Sequence, residues 1–351
     1  MTWDIALILF IDGLANGSVY LLAGLGLVLV FSVTRVVFVP FGDVAAFSAL
    51  SLAAMEAGRL PATVGMVLTL AALAVAAEVV QALRRGEAAR IPRAIAAWGL
   101  LPALPCAFAW LIAGKQLPHA VSIVAAILLV VPIAPLVARI ALQPIADASV
   151  LVLLIASLAL HFLLSGLGLL FFGPEGFRTA PLASGSFTLP GGLAVSAQVA
   201  LMISAAIVLS GLFFLAFERT VAGRALRATA VNRVGARLVG IRPARTALLA
   251  YGFASLLAGL IGVLIAPVMT MYYDSGFLIG LKAFVAAIIG GLVSYPLTAL
   301  GAIAVGVVES FGSFWSGALK DVIVFGLLIP VLLLRSALAA HPEEEQEEVE
   351  A

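Results

Sequence analysis

Apolar runs long enough to cross a membrane recur along almost the whole chain, and they limit the possible folds more than any other feature. A spanning helix needs about 20 mainly apolar residues. Only 11% of the residues are charged, against about a quarter in soluble domains. The sequence therefore predicts an all-α polytopic membrane protein with about nine to eleven transmembrane or re-entrant segments. The candidate runs are 5–31, 37–56, 62–83, 95–113, 120–138, 149–171, 196–217, 246–268, 277–293, 297–314 and 321–335.

The basic residues between these runs predict the orientation of the chain. With the amino terminus outside, fourteen Lys and Arg residues face inward and four face outward. The positive-inside rule then favours an N-out, C-in topology. The first run lacks the basic start of a signal peptide, so we predict a retained helix. The inward set is Arg35, Arg84, Arg85, Arg90, Arg93, Arg139, Arg335 and seven arginines between 219 and 245, and the outward set is Arg59, Lys115, Arg178 and Lys320.

The densest basic stretch holds seven arginines between Arg219 and Arg245, and it separates two apolar runs. Arginine at the bilayer centre costs about 3 kcal/mol or more. We therefore predict a solvated cytoplasmic loop that is long enough to form short helices for a partner protein to bind.

Motifs for enzymatic chemistry are absent from the sequence. It contains no G-x-x-x-x-G-K-[ST] phosphate loop, no H-E-x-x-H motif and no Cys/His cluster, and Cys106 is its single cysteine. We predict a protein that is not an enzyme, holds no cofactor or metal and binds no nucleic acid. His161 lies within a span, where a polar contact between helices is favoured over catalysis.

An irregular motif, VFVPFGD at 37–43, interrupts the second apolar run. Pro40 removes a backbone donor and Gly42 loosens the helix. Irregular backbone at membrane depth persists only against protein or a water-filled cavity. Asp43 then has two interpretations, a cap of the following helix, which we favour, or a residue of a substrate pathway.

The first span carries a polar stripe beside a G-x-x-x-G motif, and the members of the stripe are Asp12, Asn16, Ser18 and Tyr20. Asp12 and Asn16 are four residues apart and share a helix face. Gly13 and Gly17 allow another helix to approach closely. Helix packing is the favoured interpretation of this face, and the lining of a translocation path is the alternative.

Two further ionisable residues, Lys282 and Glu309, lie in apolar runs. Such residues are functional candidates by default. A buried Lys282–Glu309 ion pair is the structural alternative, and Lys282 could also extend to the outer interface.

Several motifs together resemble the LivH-type permease of bacterial branched-chain amino acid ABC importers. The matching segments are GLANGSVY at 13–20, GRALRATA at 223–230, LVGI at 238–241, GFLIGLKAFVAAIIGG at 276–291 with its continuation to Glu309, and KDVIVFGL at 320–327. The likeness covers about 1–56 and 120–336, and the last two segments are the most specific.

The resemblance implies an inner-membrane, multi-pass permease subunit that forms the substrate pathway. Its implied partners are a second related permease or a second copy, two cytoplasmic ATPase subunits, a periplasmic solute-binding protein and the lipid bilayer. The implied cargo is a branched-chain or related hydrophobic amino acid. Urea, short amides or aromatic acids remain alternative cargoes, and a gradient-driven secondary transporter remains an alternative class.

The resemblance also assigns candidate roles to residues. The stretch 218–245 corresponds to a cytoplasmic coupling loop that meets the ATPases. Its candidate contacts are Arg224, Arg227, Arg233, Arg237 and Gly240. The candidate pathway residues are Asp12, Asn16, Pro40, Gly42, Asp43, Lys282 and Glu309.

The chain departs from the family pattern in two places. At 37–43 proline and phenylalanine replace polar positions, which favours a more apolar or aromatic solute. Residues 61–118 are predicted to be an inserted helical hairpin with a basic inner turn. We thus divide the chain into a permease domain over 1–338 and an acidic, disordered tail over 339–351. The outer loop at 173–195 is either a docking surface or a plain connector with a short hairpin.

Overall fold

The computed structural model describes residues 3–115, 118–188 and 194–339. These residues form an all-α bundle with one short β-hairpin. The helices are α1 (Trp3–Thr34), α2 (Phe41–Glu56), α3 (Thr63–Arg84), α4 (Ile91–Ile95), α5 (Leu101–Ile112), α6 (His119–Val130), α7 (Ile133–Val137), α8 (Val150–Phe172), α9 (Ala197–Arg219), α10 (Val221–Val231), α11 (Arg233–Leu238), α12 (Pro243–Ile265), α13 (Gly276–Ile289), α14 (Tyr295–Trp315), α15 (Lys320–Gly326) and α16 (Leu328–Ala339).

Within the described residues, 8 helical stretches are long and apolar enough to cross a membrane. Six of them are α1, α3, α8, α9, α12 and α14. The other two are composite. Over Ala88–Ile112 a 3₁₀ turn precedes α4, and a π turn joins α4 to α5. Over His119–Ile145 α6 and α7 are followed by a π turn and a 3₁₀ turn. The predicted all-α polytopic fold is confirmed.

Three of the predicted runs do not become full spans. The run at 37–56 yields only the 16 residues of α2, because the chain leaves the helix after Thr34 and resumes at Phe41. The run at 277–293 yields the 14 residues of α13, which ends at Ile289, and the chain then turns through Leu292 at a positive φ of 61°. The run at 321–335 divides into α15 and α16. Helices that are too short to cross a membrane need protein around their ends, and this bundle provides it.

The central helix is α1, which packs against α9, α12, α13 and α14. Its contact with α14 is a backbone contact, since a Cβ at Gly306 would lie 2.3 Å from the Gly17 nitrogen. A Cβ at Gly13 would lie 2.7 Å from the Val307 Cα atom. The favoured interpretation of the G-x-x-x-G motif, helix packing, is therefore confirmed.

A helical hairpin made of α3 and the stretch 88–112 lies at the side of the bundle. It packs on α7 through α3, and it leaves large apolar side chains exposed, such as Leu73 and Trp110. Lipid contact accounts for this exposure in a membrane-spanning hairpin. The hairpin occupies the region that the sequence predicts to be an insertion, and that assignment stays a prediction.

Two contacts place the arginine-rich segment, residues 219–245, at one end of the bundle. Gln143 donates from Nε2 to the carbonyl oxygen of Ala244 at 3.1 Å. Arg233 donates to the carbonyl oxygen of Thr34 at 3.5 Å. The ends of α1 and of the 119–145 stretch thus lie beside the arginine-rich segment. Which side of the membrane this end faces stays a prediction.

The connection between α8 and α9 carries two strands of the fold. Strands β1 (Ser186–Thr188) and β2 (Ala194–Ser196) pair antiparallel, so the predicted outer loop contains the short hairpin. Its partner-docking role stays a prediction. The predicted acidic tail lies, from residue 340 onward, outside the described residues.

Candidate functional site

The break between α1 and α2 is the first element of the site. Arg35 has a φ of 62°, and the chain resumes its helix after Pro40. The N–H of Val39 donates to Ser157 Oγ at 3.0 Å, and the Phe38 ring meets Tyr251 edge-on at 5.2 Å. The irregular backbone is therefore enclosed by α8 and α12 rather than exposed to lipid, as membrane depth requires.

The start of α2 meets the start of α13 at two glycines. A Cβ at Gly42 would lie 1.8 Å from the carbonyl oxygen of Gly276, and a Cβ at Gly276 would lie 2.2 Å from that of Gly42. No side chain fits between these backbones. Two helix N-termini therefore converge inside the bundle, and each N-terminus carries a partial positive charge.

Asp43 lies in the first turn of α2, and it is fully buried. Its Oδ2 atom lies 2.7 Å from His161 Nδ1 on α8. The Phe277 ring of α13 stacks on the imidazole at a centroid distance of 4.4 Å. The polar interhelix contact predicted for His161 is therefore confirmed.

Our favoured interpretation of Asp43 as a helix cap is wrong. The residue before α2 is Pro40, and no side chain accepts a hydrogen bond from the first turn there. The carboxylate of Asp43 points across to His161 instead, because α8 brings the imidazole within reach. Its second oxygen, Oδ1, is buried without a hydrogen-bond partner among the described residues. A free buried carboxylate oxygen is costly, so it is a candidate acceptor for a polar solute.

A second polar cluster surrounds Lys282 on α13. Its Nζ atom lies 2.5 Å from Glu309 Oε1 on α14 and 2.8 Å from Asp321 Oδ1 on α15. Tyr20 of α1 donates to the other Glu309 oxygen, Oε2, at 2.5 Å. Lys282 and Glu309 are 5% and 7% exposed. The ion pair named as a structural alternative forms, and extension of Lys282 to the outer interface is wrong because this pair holds the side chain inside.

The candidate pathway residues thus fall into separate groups. Asp43 and Lys282 belong to different clusters, although α13 contributes to both through Phe277 and Lys282 itself. Asp12 and Asn16 join neither cluster: Asp12 is exposed, and among the described residues neither side chain makes a hydrogen bond or ion pair. Their role in the pathway stays a prediction.

Sequence reasoning missed Tyr20 and Asp321 as partners of the second cluster. Asp321 lies in the first turn of α15, within a segment noted for its family likeness. An acidic residue beside an apolar run is the signal that could have found it. Tyr20 belongs to the polar stripe of the first span, but nothing in the sequence indicates that its partner is Glu309.

The arginine-rich segment folds into two capped short helices, α10 and α11. The Thr220 hydroxyl accepts from the Gly223 N–H at 3.0 Å and begins α10. Asn232 Oδ1 accepts from the N–H groups of Val234 and Gly235 and begins α11. Gly240, with a φ of 85°, then turns the chain toward α12. The short helices expected of this loop are present, and their boundaries follow from ordinary cap residues.

The arginines of this segment have different surroundings. Arg227 forms an ion pair with Glu218 and lies over the Phe217 ring at 5.9 Å. Arg233 reaches inward to the end of α1. Arg224 and Arg237 are exposed, and within the described residues they make no ion pair.

Exposed apolar residues accompany these arginines, a feature that sequence reasoning missed. Leu238 is 84% exposed, and Val234 and Val239 are similarly uncovered. These residues are neighbours of Arg237 along α11 and at the position that follows it. A surface that mixes arginine with exposed aliphatic groups is typical of a protein interface.

The fold and the site define a polytopic helical membrane transport subunit in which two short helices, α2 and α13, meet inside the bundle. A family model described as the permease component of branched-chain amino acid transport systems matches residues 9–332. The chain belongs to this family.

Curated relatives agree with the family model. The chain is similar to the high-affinity branched-chain amino acid transport system permease protein BraD of Pseudomonas aeruginosa, at 32% identity over 59% of this chain and 70% of the relative. It is similar to LivH of Escherichia coli K12 at 30% identity over 59% of this chain and 70% of the relative. A probable LivH of Methanocaldococcus jannaschii is 28% identical over 59% and 68%. No solved structure matches the chain at a significant level.

Proposed function

We propose that this chain forms the translocation pathway of an ATP-driven importer for branched-chain or related hydrophobic amino acids in the bacterial inner membrane. The family match over 9–332 carries the proposal. The sequence has no phosphate loop, so two separate ATPase subunits supply the energy. A second permease or a second copy completes the pathway, and a periplasmic binding protein delivers the cargo.

The junction of α2 and α13 is the proposed substrate contact. A zwitterionic amino acid needs an acceptor for its ammonium group and donors for its carboxylate. Asp43 Oδ1 is a free buried acceptor, and the converging N-termini of α2 and α13 present partial positive charge. Phe41 is the buried first residue of α2, and Phe277, in the first turn of α13, stacks on His161. These two rings favour an apolar or aromatic cargo side chain.

The junction is closed in this conformation, because Asp43 is 0% exposed and the two glycine backbones touch. Transport therefore requires α2 and α13 to separate. Gating of packed helices against one another is a known route to alternating access.

Reconstituted uptake tests the proposal. Proteoliposomes that contain this chain with its permease partner, ATPases and binding protein should accumulate leucine only when ATP is hydrolysed. Asp43→Asn should reduce uptake at least about tenfold, since it removes the charge that pairs with an ammonium group. Asp147→Asn, at an exposed position, is the matched control and should leave uptake unchanged.

Two results would contradict the proposal. Uptake that follows a proton or sodium gradient without ATP would favour the secondary-transporter class. Competition of leucine uptake by urea or short amides, but not by valine or phenylalanine, would change the cargo class.

The arginine-rich segment is the proposed ATPase contact, with separate docking and transmission roles. Arg237 and Leu238 are exposed and form the docking surface with their neighbours. Arg233 joins α11 to the carbonyl end of α1, directly before the break that leads to α2. A movement of α11 would therefore reach the α2–α13 junction through Arg233, Thr34 and the broken segment.

Charge reversal should separate these two roles. Arg237→Glu combined with Leu238→Asp should abolish ATPase co-purification. The double change replaces a positive charge and an exposed apolar side chain of the docking surface with two negative charges. Arg233→Gln should retain co-purification but lower substrate-stimulated ATP hydrolysis several-fold. Co-purification from detergent and ATPase rates in nanodiscs measure the two effects.

Arg90→Glu is the control for charge alone, since Arg90 is exposed in the basic turn of the hairpin and lies outside the segment. It should leave both measurements unchanged. If Arg237→Glu/Leu238→Asp still retains the ATPases, the docking assignment is wrong.

A further inference from the structure

A basic cavity lies between α3 and the end of the 119–145 stretch, away from the α2–α13 junction. Its volume is about 540 Å³. Its charged lining residues are Arg84, Arg85, Arg139 and Glu78, which leaves a formal net charge of +2. Arg139 is already engaged, because it forms an ion pair with Glu78 and donates to Gln143 at 2.7 Å. Arg84 and Arg85 are exposed and make no ion pair within the described residues.

The uncharged part of the cavity wall combines two glutamines, Gln81 and Gln143, with apolar residues of membrane-spanning helices. Ala74, Ala77 and Val80 lie on α3, in a candidate membrane span, and Ile140 faces them. The arginines follow at the end of that span. A cavity with this arrangement places positive charge at the membrane interface and apolar wall at acyl-chain depth.

A second, apolar groove adjoins the basic cavity. It has a volume of about 480 Å³ and lies between the 88–112 stretch and the helices α6 and α7. Its walls are almost entirely hydrocarbon and include Trp98, Pro105, Phe108 and Pro135. The Arg139 guanidinium lies 5.8 Å from the centre of the Trp98 ring. Because Arg139 lines the cavity and Trp98 lines the groove, this pair forms a shared wall between them.

We propose that these two spaces form one binding site for an anionic phospholipid of the surrounding bilayer. The phosphate group pairs with Arg84 and Arg85, which supply the unused positive charge. An acyl chain lies in the groove along Trp98. A neutral or zwitterionic lipid would lack the net negative charge that the cavity complements.

The site adjoins the arginine-rich segment. Gln143 both lines the cavity and donates to Ala244, at the start of α12. A bound lipid therefore fixes the position of the 119–145 stretch relative to the segment proposed to meet the ATPases. The site itself does not depend on the identity of the cargo.

Quenching of Trp98 by brominated lipid tests the proposal. The protein contains 4 tryptophans, and a variant with Trp3, Trp110 and Trp315 changed to Phe retains Trp98 alone. In the variant chain purified alone in detergent, brominated phosphatidylglycerol should quench Trp98 saturably. Brominated phosphatidylcholine with the same chains should require at least about tenfold more lipid.

Matched variants locate the headgroup contact. Arg84→Gln combined with Arg85→Gln should raise the phosphatidylglycerol concentration for half-quenching about tenfold. Arg90→Gln combined with Arg93→Gln removes the same charge from residues of the same turn that do not line the cavity. This control should change half-quenching less than twofold.

Four results would overturn the proposal. Equal quenching by the two lipids would show an apolar groove without headgroup recognition. Equal effects of the two double variants would show a general charge effect. Competition by millimolar glycerol 3-phosphate would show a soluble anion site, and ATPase binding that removes quenching would show a protein contact instead.

Discussion

Replacing Gly42 with alanine is expected to destabilise the folded protein by about 3 kcal/mol, the upper part of the usual range for an overpacked core. The added methyl group would lie 1.8 Å from the carbonyl oxygen of Gly276. The clash is with backbone, so no side-chain rotation relieves it. Relief requires α2 and α13 to move apart, which disrupts the junction. The midpoint of thermal denaturation in detergent, measured by size-exclusion chromatography, and the amount of protein in the membrane report the change.

Gly166→Ala is the matched control for this prediction. Gly166 lies in α8, and nothing approaches within 4 Å of its Cβ position. The same substitution is there expected to be neutral or to stabilise by about 0.5–1 kcal/mol, since alanine favours helix. If Gly42→Ala is as stable as Gly166→Ala, the backbones of Gly42 and Gly276 are not in contact.

The fold was largely predictable because the bilayer imposes one rule on every span. Backbone groups in lipid must pair within a helix, so hydropathy alone locates helices such as α8 and α12. The break before α2 was predictable from the residue types of Pro40 and Gly42. The partner of Gly42 was not predictable, because the apolar run at 277–293 does not indicate that Gly276, just before it, contacts the start of α2.

The candidate site was less predictable, since its contacts join residues far apart in the chain. Asp43 and His161 were each noted, but neither residue identifies the other. A cap was the local interpretation of an acidic residue after a helix break, and tertiary contact overrode it. The exposed face of α11 was missed because its apolar residues are unremarkable in so apolar a sequence.

The short helices α2 and α13 and the arginine-rich segment are connected through the end of α1. Arg233 contacts Thr34, and Tyr251 of α12 contacts Phe38 within the break. The proposed coupling to separate ATPases needs such a route from the surface of the chain to its interior. Because the route passes through few contacts, its residues should affect coupling more than binding.

Lys282→Met is expected to have the other large effect, about 3–5 kcal/mol, because it leaves buried charge without its partner. Glu309 is 7% exposed, and Lys282 is the cation that faces its Oε1 atom at 2.5 Å. Asp321 would lose its ion pair as well. The thermal midpoint in detergent measures the loss. Lys115→Met, at an exposed position, should change stability by less than about 0.5 kcal/mol.

The double variant Lys282→Met/Glu309→Gln distinguishes a structural cluster from a functional one. Neutralising Glu309 removes the more deeply buried of the two unpaired carboxylates, while Asp321 is partly exposed. The amide oxygen that Glu309→Gln introduces can still accept from Tyr20, so most of the stability should return. If uptake returns with stability, the cluster only holds α1, α13 and α14 together. If stability returns and uptake does not, the charges take part in transport. A double variant no more stable than Lys282→Met would contradict the assignment of Glu309 as the principal partner.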